Sequence, residues 1–206
     1  MKKMTCLALA LLLCLSGVAL AESTPSRMID DMASIEVTAE HLPANSGFFI
    51  HVAKTDDPSY QGKVTACLTE IEKLKASPSV ENYFGELKDS QGNVLSPKDI
   101  LGTDAPNVFE FAPVIAGNYE EAYGKVTATM LFSTPYAKDE PVIVMIGLVT
   151  INADGTQSVK WTAYQGVGLG PVDGAAENMG SIKVELDAAT VEAIQNGTAL
   201  LAVISK

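Results

Sequence analysis

The 206-residue chain carries 25 Asp and Glu against 14 Lys and Arg, a formal net charge of −11. A field of that sign repels phosphate backbones and anionic lipid headgroups, and no run of Lys or Arg reverses it locally. Nucleic acid and acidic membranes are therefore set aside as partners, and the acidity reads as solubility of an exported protein.

The first element is a leader. Lys2 and Lys3 precede the apolar run LALALLLCLSGVAL, which closes on Ala19-Leu20-Ala21, so residues 1–21 read as a secretory signal peptide cut before Glu22. The run is shorter than the roughly 20 apolar residues a spanning helix needs, which argues against a membrane anchor. Lipidation at Cys14 would need a small residue before it, and Leu13 stands there. Cleavage lowers the basic count from 14 to 12, bringing the net charge to about −13, and leaves Cys67 as the sole cysteine. With no intrachain disulfide available, stability must come from the core. The expected location is secreted or periplasmic, in a bacterium.

Residues 22–104 read as a mixed α+β region. ESTPSR is a polar lead. Ile35, Val37 and Ala39 then alternate with polar residues, and Phe48–Val52 follows the turn-rich LPANSG, giving two strands. Val64, Cys67, Leu68, Ile71 and Leu74 share a helical period, predicting a helix over 63–76 with those five on one face. Pro78 ends it, and a short second helix starts near Ser77 or Ser79. Residues 88–95 carry the polar centre of a hairpin turn, and Ser96-Pro97 opens another helix.

Residues 105–206 read as a mainly antiparallel β-sandwich. Strands are expected at 108–115, 125–133, 142–151, 158–164, 181–186 and 198–205, at turn spacings of a short-stranded all-β fold. Val126, Ala128, Met130 and Phe132 alternate cleanly, so one face meets the core and the other water. VIVMIGLVTI at 142–151 is half the length of a spanning helix and rich in β-branched residues, predicting a buried strand that turns at Asn152–Thr156. Asp187 is the expected N-cap of a short helix closed by Asn196-Gly197. The long stretch 165–180 reads as a loop. The half as a whole resembles an immunoglobulin-like sandwich in fold alone, without the Cys pair or the central Trp spacing of antibody domains, and that likeness implies no function. The boundary near Gly102–Pro106 is marked by no linker, and one sheet shared by both halves is the alternative to two domains.

Catalytic patterns are sparse. A serine triad would have to draw on His41, His51 and Ser46, and there is no G-x-S-x-G. Cys67 falls on the apolar helix face, where a thiol is poorly ionised. Two histidines without a C-x-x-C do not make a zinc site. Asp30-Asp31, Asp56-Asp57, Glu120-Glu121 and Asn152–Gly155 offer oxygen ligands for calcium, but none matches a twelve-residue calcium loop. GVGLGP at 166–171 precedes a proline instead of opening a helix, unlike a phosphate loop.

The expectation is a non-catalytic binding or adhesion protein without a cofactor, its ligand a glycan, a small molecule or a protein. The candidate binding residues are the aromatics Tyr119, Tyr123, Tyr136, Trp161 and Tyr164, beside the 165–180 stretch. The alternatives are a hydrolase using a pair of carboxylates, as glycosidases do, and a structural envelope component.

Overall fold

A computed structural model describes residues 32–54, 57–171 and 179–206. The expected signal peptide, the polar lead, Asp30-Asp31 and Asp56 lie outside the described residues. Among those described, no helix is long and apolar enough to cross a membrane.

Eight strands carry the fold: β1 Met32–Ala39, β2 Phe49–Val52, β3 Asn107–Gly117, β4 Val126–Phe132, β5 Lys138–Ile151, β6 Gln157–Pro171, β7 Gly180–Leu186 and β8 Thr198–Ser205. They form one sheet in the order β1-β4-β7-β6-β5-β8-β3-β2, antiparallel at every ladder. The end strands β1 and β2 approach each other without a ladder between them, so the sheet is nearly closed. This differs from two packed sheets, the arrangement expected for residues 105–206. Short alternating strands pack equally well on a second sheet or on the far side of their own sheet, so their spacing did not distinguish the two. The sheet also runs through the expected boundary, since β1 and β2 precede residue 104 and pair with β4 and β3.

Alternation decides what fills the interior. Val126, Ala128, Met130 and Phe132 are buried in β4, while Thr127, Thr129 and Leu131 remain partly exposed. Val142, Val144 and Ile146 of β5 join them, with Val203 and Leu201 of β8 and Ile182 and Val184 of β7. One end of the interior is filled by helix α4, Ala188–Asn196, through Val191 and Ile194.

The opposite face of β3, β5, β6 and β8 is also apolar, and three helices cover it: α1 Gln61–Ala76, α2 Val80–Phe84 and α3 Pro97–Leu101. Ile143 and Met145 therefore face these helices while their neighbours face the interior, which is why residues 142–146 are continuously apolar. In α1, Val64, Cys67, Ile71 and Leu74 are buried as the period predicts, but Leu68 is 41% exposed and Glu70 takes a buried place instead. The caps are local: the hydroxyls of Ser79 and Ser96 and the carboxylate of Asp187 each accept from the backbone N–H three residues on.

Residues 165–171 of the expected 165–180 loop belong to β6, which continues to Pro171; residues 172–178 lie outside the described ones. Gly168 suits this path for a packing reason. A Cβ there would sit 2.1 Å from the carbonyl oxygen of Ala137.

Candidate ligand-binding groove

β7 pairs with β6 only from Gly166 to Pro171, so the edge of β6 before that point is open to another partner. A small ribbon takes it: Ala163 N–H donates to the Lys88 carbonyl at 2.7 Å. The ribbon folds locally. The Asp89 carboxylate accepts from the backbone N–H of Gln91 and Asn93 at 2.9 and 2.8 Å and from the Asn93 side chain, and Gly92 adopts φ 87°. The side-chain bond from Asn93, with the backbone donors, holds the Asp89 carboxyl below its ordinary range. Leu95 N–H donates to Leu87 O and Asp89 N–H to Asn93 O, at 2.8 and 2.9 Å, on either side of the Lys88–Val94 bridge.

Between this ribbon, α2 and the start of α3 lies a groove of about 460 Å³. Its walls are apolar, from Val80, Leu87, Val94, Leu95 and Pro97, and the exposed acids Glu81 and Glu86 border it. A second hollow of about 240 Å³ shares Val80 and Glu81 and runs on to Asp104 and Pro106. Val94 is 56% exposed, a large apolar side chain left in solvent at the groove wall.

A cleft of about 480 Å³ between α1 and the β5–β6 turn has a different character. Its polar groups are occupied with one another: Thr65 and Thr69 hydroxyls donate to the carbonyls one helical turn back, and Gln157 donates to Ala66 O and Glu70. Lys73 is held by Glu70 and by the carbonyl of Gln157.

The aromatic residues singled out from the sequence do not converge on a surface. Tyr119, Tyr123, Tyr136 and Tyr164 are buried in the sheet interior, and Trp161 packs on the other face against Tyr83, Phe84 and Phe111. Residues 161 and 164 are three apart in one strand, so they must face opposite ways. Each tyrosine has an internal task. Tyr119 packs at a tilt against Phe48, ring centres 5.4 Å apart, and its hydroxyl donates to Gly124 O, while Tyr164 donates to Asp187 at 2.6 Å beside Thr190. Tyr136 packs against Phe132 with ring centres 5.8 Å apart. The expected exposed aromatic platform at these positions is thus replaced by core packing.

Among the described residues the most exposed aromatic is Phe49, 36% exposed on β2. Its ring stacks on His51 at 4.8 Å and lies against Gly117, where a Cβ would come within 2.6 Å of it. The doublet Phe48-Phe49 carries the signal, since adjacent strand residues cannot both face inward. His51, also 6.0 Å from the Tyr60 ring, has its pKa lowered by burial against the opposing pull of Asp57.

The candidate nucleophiles are engaged structurally. Ser46 Oγ accepts from Phe48 N–H. Burial, reinforced by Glu70, pushes the Cys67 thiol well above its ordinary range. Glu70 is itself buried, accepting from Lys73, Tyr83 and Gln157, and burial together with that carboxylate raises the Tyr83 hydroxyl. Glu110, buried at the end of the interior away from α4, accepts from Thr134, and Glu140 accepts from Ser205 and the Ala137 N–H. Among the described residues no group of three or more His, Cys, Asp or Glu is placed to hold a metal ion.

No protein-family model matches the chain, and neither a curated protein nor a solved structure does so.

Proposed function

We propose that this is an exported, non-catalytic binding protein whose ligand seat is the groove between α2 and the 87–95 ribbon. The observation that carries the reading is the character of that groove. It is concave and apolar, bordered by a few charged groups, and built from segments added outside the sheet. Elsewhere the reactive side chains serve the fold: Cys67 fills the helix–sheet core, Glu70 ties α1 to α2 and to β6, and the tyrosines fill the interior.

The test is thermal unfolding of the chain from Glu22 onward against glycans, small metabolites, calcium and short peptides. A ligand that binds the folded state alone raises the midpoint whatever its chemistry. The expected outcome is a rise with one class that Val94→Asp abolishes, since Val94 is exposed and its replacement leaves the core intact. A panel that moves nothing, or a rise that survives Val94→Asp, would overturn the proposal.

A further inference from the structure

We infer that the occupant of the groove is an extended peptide segment alternating apolar and basic residues, which adds as a strand to the outer edge of the 87–95 ribbon. This rests on the groove being the ligand seat.

The backbone supplies the first argument. Lys88 and Val94 sit opposite each other in the ribbon, while the bonds that join its strands come from the flanking pairs Leu87–Leu95 and Asp89–Asn93. In such an antiparallel pair the N–H and C=O of both residues turn away from the partner strand. On the Lys88 side the outward carbonyl is taken by Ala163 N–H of β6. On the Val94 side, no hydrogen bond engages either backbone group among the described residues. An exposed strand edge of this kind recruits an extended chain by main-chain hydrogen bonding.

Side chains and charge define the partner. Val94 borders an apolar groove, so every second residue of an added strand has apolar walls to meet, from Val80, Leu87 and Pro97. The border carries Glu81 and Glu86, and Asp104 lies along the adjoining hollow. Glu86 and Asp104 are already paired, with Lys88 and Lys98 at 2.8 Å, so among the described residues Glu81 is the border acid left without an ion pair. On a chain with 25 acids to 14 basic residues this border attracts Lys or Arg and disfavours Asp or Glu.

The probe is a pool of hexapeptides with Lys at even positions and Val, Leu, Ile or Phe at odd ones. Two controls accompany it: the same pool with Glu in place of Lys, and the Lys pool N-methylated on alternate amides. Binding is read by fluorescence anisotropy, and by amide NMR shifts at Val94. The Lys pool should bind and displace the Val94 amide resonance. N-methylation and Val94→Pro should each weaken it about tenfold, the size of one or two lost hydrogen bonds, while Val94→Thr leaves it within about twofold. Circular dichroism checks that both variants fold. Equal binding of the N-methylated pool, equal binding of the Glu pool, or no binding of the Lys pool would overturn the inference. The ligand seat itself is judged separately: a small molecule whose thermal shift is lost in Val94→Asp would keep the groove and remove the peptide.

Discussion

Glu70→Ala tests how the helical layer is fastened to the sheet. The carboxylate is buried, with its residue 3% exposed, and accepts from Lys73 Nζ at 2.6 Å, Gln157 Nε2 at 2.7 Å and the Tyr83 hydroxyl at 2.8 Å. Lys73 is 46% exposed, so solvent screening limits its share to at most about 1 kcal/mol. The Tyr83 and Gln157 bonds run to a buried charged acceptor and contribute about 1.5–3 kcal/mol each. Truncation strands the Tyr83 hydroxyl and one of the two Gln157 amide protons, the other keeping Ala66 O, and the expected loss is about 3–5 kcal/mol, or roughly 10 °C in Tm for a chain of this size. Trp161, the only tryptophan, lies 6.1 Å from the Tyr83 ring and reports urea unfolding directly. Tyr83→Phe alone should cost about 1–2 kcal/mol, and the double variant should fall short of additivity by about 1 kcal/mol or more. A loss below about 1 kcal/mol for Glu70→Ala, or strict additivity, would refute the assignment of the carboxylate as the tie between α1, α2 and β6.

Three further outcomes follow from local geometry. Gly168→Ala places a Cβ 2.1 Å from a backbone carbonyl that has no flexible end to move, and should lower stability by about 3 kcal/mol in the same urea assay. Burial alone would raise the Asp187 carboxyl, but hydrogen bonds from Tyr164, the Thr190 amide and Ser90 outweigh it and hold the group below its ordinary range. Its stabilisation is therefore full above the unfolded value of about 3.9 and is lost as pH falls through the lower folded value; Asp187→Asn should flatten that acid limb of the stability curve, and an unchanged limb would contradict the pairing. Cys67 should react with a thiol reagent only as fast as the protein unfolds, because burial both covers the sulfur and raises its pKa, and prompt labelling of the native protein would place it elsewhere.

Much of the local structure was legible in the sequence because it rests on local chemistry. The strand at 142–151, its turn at Asn152–Thr156, the Ser96-Pro97 helix start, the Asp187 cap and the buried place of Cys67 all follow from period, cap or turn residues within a few positions. What the sequence did not display was long-range. Whether alternating strands close on themselves or pair with a second sheet depends on which neighbours they choose, and β4, with its even alternation, suits either. Glu70 was missed because a charged residue on a helix is ordinarily solvated; its burial depends on Tyr83 and Gln157, 13 and 87 residues away. The aromatic site failed for a related reason. Tyrosine reads as an interface residue when its hydroxyl finds water, but here Asp187 and Gly124 accept those hydroxyls inside the protein. The groove left only the hairpin-turn signal at 88–95, since its walls come from α2, the ribbon and α3, which become neighbours by packing on the sheet.

The most direct test of the ligand seat is an amide NMR titration of the chain from Glu22 onward with whichever compound gives the largest thermal shift. The account predicts that the perturbed resonances cluster at Val80, Glu81, Gly85, Leu87, Val94 and Leu95, around the groove. Perturbations centred on the uncovered strand face at Thr127, Thr129 and Lys183, or on the cleft at Thr69 and Gln157, would contradict it.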